Sequence, residues 1–264
     1  KIAELKRRRE DARSQLEETQ RIPRAIKKIE EDMATSEERI KFILMRLPNL
    51  LHESVPTGKD DSENVEVKRW GEAKELSFKP KSHIDLMIDL DLLDLDRAAK
   101  VSGARFYYMK NEAILLELAL TRFAIDFLRN KGFAVIEPPF LIKREPYEGV
   151  TSLADFEDTL YKVEGEDLYL IATSEHPMGA MFMNEVLPAD SLPIKLAGTS
   201  PCFRKEAGAH GKDTKGIFRV HQFNKVEQFI FCKPEDSWKF HEELLRNAEE
   251  IYQKLDIPYR VVNI

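Results

Sequence analysis

The sequence predicts an α+β protein, in which a helical hairpin arm precedes a core of short strands and a few helices built on a largely antiparallel sheet. Three observations predict it. Between residues 22 and 47 apolar side chains recur at alternating steps of four and three. Beyond Pro48 that period breaks, and helix-spaced stretches alternate with short β-branched or apolar runs bounded by Gly and Pro. The stretch 218–232 reads throughout as one strand.

The arm comes first. Its seam is Ile22, Ile26, Ile29, Met33, a lapse at Ser36, then Ile40, Ile43 and Leu47, flanked by Lys, Arg and Glu. A weaker seam, Ile2, Leu5, Arg9, Ala12 and Leu16, runs out of phase with it, so two helices or one interrupted helix are expected. Pro23 disfavours a helical residue before it and marks one candidate turn near Arg21. The run Arg8, Arg9, Glu10, Asp11 is the other, with Asp11 as a helix cap. Pro48 ends the arm, giving a first segment at 1–48.

Residues 49–82 read as a polar connector with one short strand at 65–69. Residues 83–264 read as the globular core. There, 111–130 has helical spacing and ends at Gly132, and 133–136 is a strand stopped by Pro138 and Pro139. Short strands are expected at 168–172 and 194–197. An amphipathic helix is expected at 235–255, with Leu244, Leu245, Ala248, Ile251 and Leu255 inward. A last strand is expected at 259–264.

Composition narrows the function classes. No apolar run approaches the roughly 20 residues that span a bilayer, and the first residues are charged rather than signal-like, so a cytoplasmic, non-membrane protein is expected. Cys202 and Cys232 lack a CxxC partner or zinc spacing and read as reduced thiols in or near a core. Residues 1–48 carry 13 basic and 10 acidic side chains, while the remainder carries 28 and 37, so a mildly basic arm precedes an acidic body. Such an arm suits local contact with a polyanion, and equally a solvated face.

Chemistry concentrates at 203–228. If 218–232 is extended, Arg219, Phe223 and Glu227 fall on one face at steps of four, with His221 and Lys225 between them. Arg204 and Glu206 share a face upstream. Residues 207–216 hold three glycines with His210, Lys212, Asp213 and Lys215, and read as a hairpin loop. Strand, long loop and strand, with arginines near both ends, suit a site that closes on a polyphosphate. On pattern alone the same residues suit a surface hairpin with a mixed-charge face.

The segment FRKEAGAHGKDTKGIFRVHQFNKVEQ at 203–228 resembles motif 2 of class II aminoacyl-tRNA synthetases in its seryl form. LIATSEHP at 170–177 is similar to the serine-binding T-x-E segment of that family, and GFAVIEPPFL at 132–141 is similar to its dimer-forming motif 1, with Pro139 as marker. RLPNLLHESVPTG at 46–58 is similar to the junction after the seryl enzymes' coiled-coil arm, and the details are closest to archaeal-type members.

The resemblance implies a class II antiparallel-sheet core, a homodimer, and two reactions. Serine and ATP would give seryl-adenylate, and the seryl group would then pass to the 3′ end of serine tRNA, with Mg2+ on the phosphates. Arg204 would hold the α-phosphate and the serine carboxylate, Glu206 the adenine amino group, Phe223 the adenine ring and Arg219 the outer phosphates. Thr173 and Glu227 would bind the serine amine and hydroxyl, supported by Glu175, which also reads as purely structural. Thr173 and Glu175 share a face if extended. His221 has no role in the resemblance and reads as packing. His210 and Lys212 are candidates for contact with ATP or the tRNA end, and equally for solvated loop positions.

Residues 1–47 match the family's helical hairpin, which reaches along the long variable arm of serine tRNA; this favours the turn at residues 8–11 and leaves Pro23 inside the second helix as a kink. Heptads alone equally suit a dimerisation coiled coil. Motif 3 and its ATP-binding arginine are not found in 1–264, nor is most of the first arm helix. The resemblance therefore implies a longer polypeptide and an isolated segment that forms no adenylate at a normal rate. The alternatives are an inactive fragment, a repurposed paralogue that binds RNA or charges a carrier protein, and a class II synthetase for another amino acid. The arm argues against carrier charging, and Thr173 with Glu227 favours serine.

Overall fold

The computed structural model describes residue 7, residues 13–206 and residues 217–264. The chain divides into two compact units, Lys1–Glu53 and Ser54–Ile264. In the first, helix α1 spans Arg13–Leu44 and carries Pro23 in its interior. The helix runs through the break considered near Arg21; the alternative turn at residues 8–11 lies outside the described residues. The seam residues Ile22, Ile26, Ile29, Met33, Ile40 and Ile43 are all exposed along α1.

The second unit opens with β1 (Val65–Trp70), followed by α2 (His83–Asp89), β2 (Leu93–Asp94), α3 (Leu95–Ser102) and β3 (Tyr108–Met109). Helix α4 spans Glu112–Asn130, within one residue of the sequence expectation, and leads to β4 (Ala134–Ile136) and β5 (Leu141–Ile142). Short helices α5 (Arg144–Val150) and α6 (Leu153–Phe156) precede β6 (Tyr169–Leu170) and α7 (Glu175–Gly179). Long strands β7 (Ile194–Phe203) and β8 (Gln222–Phe231), helix α8 (Ser237–Lys254) and β9 (Tyr259–Asn263) follow.

The central sheet has the order β4–β7–β8, with β4 parallel and β8 antiparallel to β7. Alternation along β7 and β8 sends the two sheet faces to different tasks. On one, Ala197, Val226 and Ile230 pack against Phe127 and Leu128 of α4, Phe133, and Leu244 and Ile251 of α8. On the same face Gln228 donates to the Leu244 carbonyl at 3.1 Å and accepts from Asn247 at 2.9 Å, which satisfies a fully buried amide. The other face carries the register pairs Gly198–Glu227, Ser200–Lys225 and Cys202–Phe223. A second apolar cluster, including Ile142, Tyr147, Leu153, Leu160, Tyr169 and Ile171, closes that side.

Some expectations need correction. The strand expected from residue 218 begins at Gln222, because residues 217–220 turn and the backbone N–H of His221 bonds to Arg105 rather than to β7. The strand expected at 168–172 shortens to β6, since Ala172 and Ser174 already bend into α7. Leu255, expected inward, sits past the end of α8 and is exposed.

Candidate active site

A cleft of about 440 Å³ opens just past the end of β7, and Thr173, Glu175, His176, Arg204, Glu206 and Arg219 line it. Two stretches separated by about thirty residues thus converge, because Phe203 at the end of β7 donates its backbone N–H to the Ile171 carbonyl at 2.9 Å. Arg204 follows and its Nε donates to the Ala172 carbonyl at 3.4 Å. Its guanidinium stands 5.1 Å from the centroid of the Phe223 ring, a cation–π arrangement that orients the planar fork.

Thr173 is nearly buried, and its hydroxyl donates to Glu227 Oε2 at 3.2 Å while accepting the backbone N–H of Glu175 at 3.2 Å. The hydroxyl thus accepts the N–H of Glu175, the first residue of α7, and Thr173 and Glu175 do not share the face of a strand as extended chain would have them. Lys225 forms an ion pair with Glu227 through the same Oε2 that accepts the Thr173 hydroxyl, so a cation and a hydroxyl meet on one carboxylate oxygen.

The step-of-four alignment of Arg219, Phe223 and Glu227 is not kept, because Arg219 precedes β8. It reaches the cleft from the turn, where its Nη1 lies 3.1 Å from Glu206 Oε2. Nor do Arg204 and Glu206 continue one extended face, since Glu206 adopts a left-handed φ of 52°. Phe223 borders a neighbouring hollow of about 220 Å³ with Phe106 and Tyr107, and Glu227 stands behind Thr173. His210 and Lys212 lie outside the described residues. Pro139 is exposed beyond β4, far along the chain from these groups.

His221 is a packing residue, as expected. Its ring meets Phe106 at 5.1 Å and Tyr161 at 6.4 Å, and its Nδ1 lies 2.8 Å from the Arg204 carbonyl.

Sequence reasoning missed three groups. Burial pushes the His176 imidazole down to about 4, helped by the charges of Lys225 and Arg204, so it is neutral around pH 7. Beneath it Tyr147 is fully buried, with its ring 4.7 Å from that of His176, and burial pushes its phenol up to about 12. Arg105, 99 positions before Arg204 in the chain, donates from Nη1 to the Glu206 carbonyl at 3.3 Å. Local pattern marks neither of the first two, since His176 stands between Glu175 and Pro177 and Tyr147 between Pro146 and Glu148, and nothing near residue 105 ties it to 206.

The model of the tRNA synthetase class II core domain (G, H, P, S and T) matches residues 159–264. A serine–tRNA ligase of Methanocella arvoryzae is 54% identical over 278 residues, covering 100% of this chain and 65% of that protein. Among solved structures, the seryl-tRNA synthetase of Pyrococcus horikoshii complexed with ATP matches 99% of this chain and 64% of its own at TM-score 0.88 and 49% identity. The cytoplasmic serine–tRNA ligase of Naegleria fowleri in complex with AMP matches 90% of this chain and 57% of its own at TM-score 0.83 and 42% identity. The chain thus spans somewhat less than two thirds of the length of these relatives. Among the described residues no helix is long and apolar enough to cross a membrane. With the class II core-domain match at residues 159–264 and likeness to serine–tRNA ligases running along the whole chain, this chain is similar throughout to seryl-tRNA synthetases.

Proposed function

We propose that the protein carrying these residues activates serine with ATP and transfers the seryl group to the 3′ end of serine tRNA, in the cytoplasm. The observation that carries this reading is the bond from the Thr173 hydroxyl to Glu227 beneath a cleft lined by Arg204, Glu206 and Arg219. A hydroxyl and a carboxylate held together suit an amine and a hydroxyl on a small substrate. Two arginines at the same cleft suit carboxylate and phosphates.

In the first step a serine carboxylate oxygen attacks the α-phosphorus, and pyrophosphate leaves. Arg204 holds the attacking carboxylate and the α-phosphate, where charge builds in the transition state. Arg219 takes the outer phosphates, Glu206 accepts from the adenine amine, and Phe223 lies under the ring. Thr173 and Glu227 hold serine, with Glu175 beside them. In the second step the terminal ribose hydroxyl of tRNA attacks the activated carbonyl, and AMP leaves. Orientation and charge stabilisation carry both steps. Magnesium would travel with the triphosphate; among the described residues no three His, Cys, Asp or Glu side chains are grouped to hold a metal ion, and no step is assigned to one.

Two surfaces complete the reading. Residues 1–47 would follow the long variable arm of serine tRNA. The apolar side chains that α4 leaves exposed, Leu115, Leu116 and Leu118 among them, together with exposed Pro139, would pair with a second copy. The test is ATP–pyrophosphate exchange by the full-length protein with a panel of amino acids. Exchange dependent on serine alone is expected, and a full-length protein inert with serine would refute the reading.

A further inference from the structure

Residues 204–206 and 219–222 flank the segment 207–216, and one residue from a distant part of the fold ties them together. Arg105 lies between α3 and β3 and, like Glu206, has a left-handed backbone, with φ 64°. Such a conformation is strained for a non-glycine residue, and it persists where neighbours over-determine it. The neighbours here are explicit. The Arg105 guanidinium donates to the carbonyl of Glu206 at 3.3 Å in a partly buried contact. The Arg105 carbonyl accepts the backbone N–H of His221 at 3.3 Å. Phe106, next in sequence, packs its ring against that of His221. His221 closes the circuit, because its carbonyl accepts the Arg204 N–H at 2.9 Å and its Nδ1 meets the Arg204 carbonyl at 2.8 Å.

The antiparallel ladder ends at Phe203–Gln222, just short of Glu206. Past that point the Arg204 N–H still meets the His221 carbonyl and the Lys205 N–H meets the Thr159 carbonyl at 2.9 Å, while at Glu206 it is Arg105 that supplies the donor to the backbone. The direction in which the Glu206 carboxylate leaves the chain depends on that peptide. We infer that Arg105 is a positioning residue for the nucleotide base: by holding the Glu206 carbonyl it aims the Glu206 carboxylate at the 6-amino group of adenine. The inference rests on the role proposed above for Glu206.

The test compares ATP with purine riboside triphosphate, which lacks that amino group, in serine-dependent pyrophosphate exchange by the full-length protein. Glu206→Ala should erase most of the preference for ATP. Arg105→Met, which keeps the aliphatic stem and removes the donor, should reduce the preference about tenfold through KM for ATP, with KM for the analogue unchanged. Arg105→Lys, which retains a donor, should keep most of it. If Glu206→Ala erases the preference while Arg105→Met lowers activity with both nucleotides equally, or with neither, the positioning role is overturned and the reading of the site stands. If Glu206→Ala leaves the preference intact, the role of Glu206 fails and this inference fails with it. Should Arg105→Met not fold, Arg105→Gln, whose shorter amide falls short of the carbonyl, takes its place with the same two outcomes.

Discussion

Arg219 Nη1 lies 3.1 Å from Glu206 Oε2, joining two side chains that stand at opposite ends of the segment 207–216. In the proposed reading these two grip opposite ends of ATP, so their pair must open for the nucleotide to enter. Arg219 is nearly half exposed, at 45%, and a solvent-screened pair of this kind holds little of the fold together. Arg219→Ala is therefore expected to change stability by less than about 1 kcal/mol and to raise KM for ATP about tenfold or more. Thermal melting and ATP titration separate the two effects; a large loss of stability with unchanged KM would contradict this assignment.

Thr173→Val keeps shape and removes the hydroxyl that links Glu227 to α7. Sites that pair buried polar groups with a substrate lose heavily when one is deleted, so kcat/KM for serine should fall by a factor of order 100. KM for ATP should change little. Serine-dependent exchange at saturating ATP measures this, and an unaltered serine dependence would remove Thr173 from the site.

Gly198 pairs with Glu227 across the ladder and passes close under α7. A Cβ there would meet the Met178 sulfur and methyl at 2.8 Å and the Ser174 hydroxyl at 3.0 Å. Met178 is fully buried, so its side-chain end must shift within the packed interior to admit the methyl group. Gly198→Ala should destabilise by about 1–3 kcal/mol in denaturant unfolding, the usual cost of overpacking.

His176 supplies a pH dependence of known sign. Its folded value of about 4 lies below the ordinary 6.5, so between these the unfolded chain binds a proton that the folded chain declines. Its full contribution to stability is thus present above about pH 6.5 and is lost as pH falls towards 4. The Glu249 carboxylate, held low by Lys68 at 2.7 Å, is lost only below its own unfolded value of 4.5. Subtracting the melting profile of His176→Phe from that of the parent between pH 7 and 4.5 should isolate a falling curve; a flat difference would contradict the burial argument.

The exposed leucines of α4 give a separate test of the proposed dimer. Leu115→Glu should shift the full-length protein from dimer to monomer in sedimentation, since a buried unpaired charge is costly at an apolar contact. Sedimentation unchanged by the substitution would place the contact elsewhere.

Much of this architecture was legible because period and punctuation carry it. Helix α4 was bounded by Gly132, and α1, β1 and β9 by their apolar repeats and flanking breakers. The site was legible in membership but not in geometry. Alternation placed Phe223, Lys225 and Glu227 on one face correctly, because β8 is a regular strand there. It failed for Arg219, Glu206 and Glu175, where long-range bonds and a left-handed φ bend the chain out of the strand period. The Arg105 contact was invisible for a simpler reason, since a hydrogen bond to a backbone carbonyl leaves no mark on the sequence around either partner.

The pairing of β1 with β9 bears on how the chain is made. Val65 meets Asn263, so roughly 200 residues must be synthesised before β1 acquires its partner, about 10 to 40 seconds at ordinary elongation rates. Throughout that interval a short strand with exposed Val65 and Val67 stands open to the wrong neighbour. Its intervening Glu66, Lys68 and Arg69 put charge along the strand, which discourages edge-to-edge association. The alternation of valine and charge in VEVKRW is thus a safeguard for the nascent chain as much as a feature of the finished sheet.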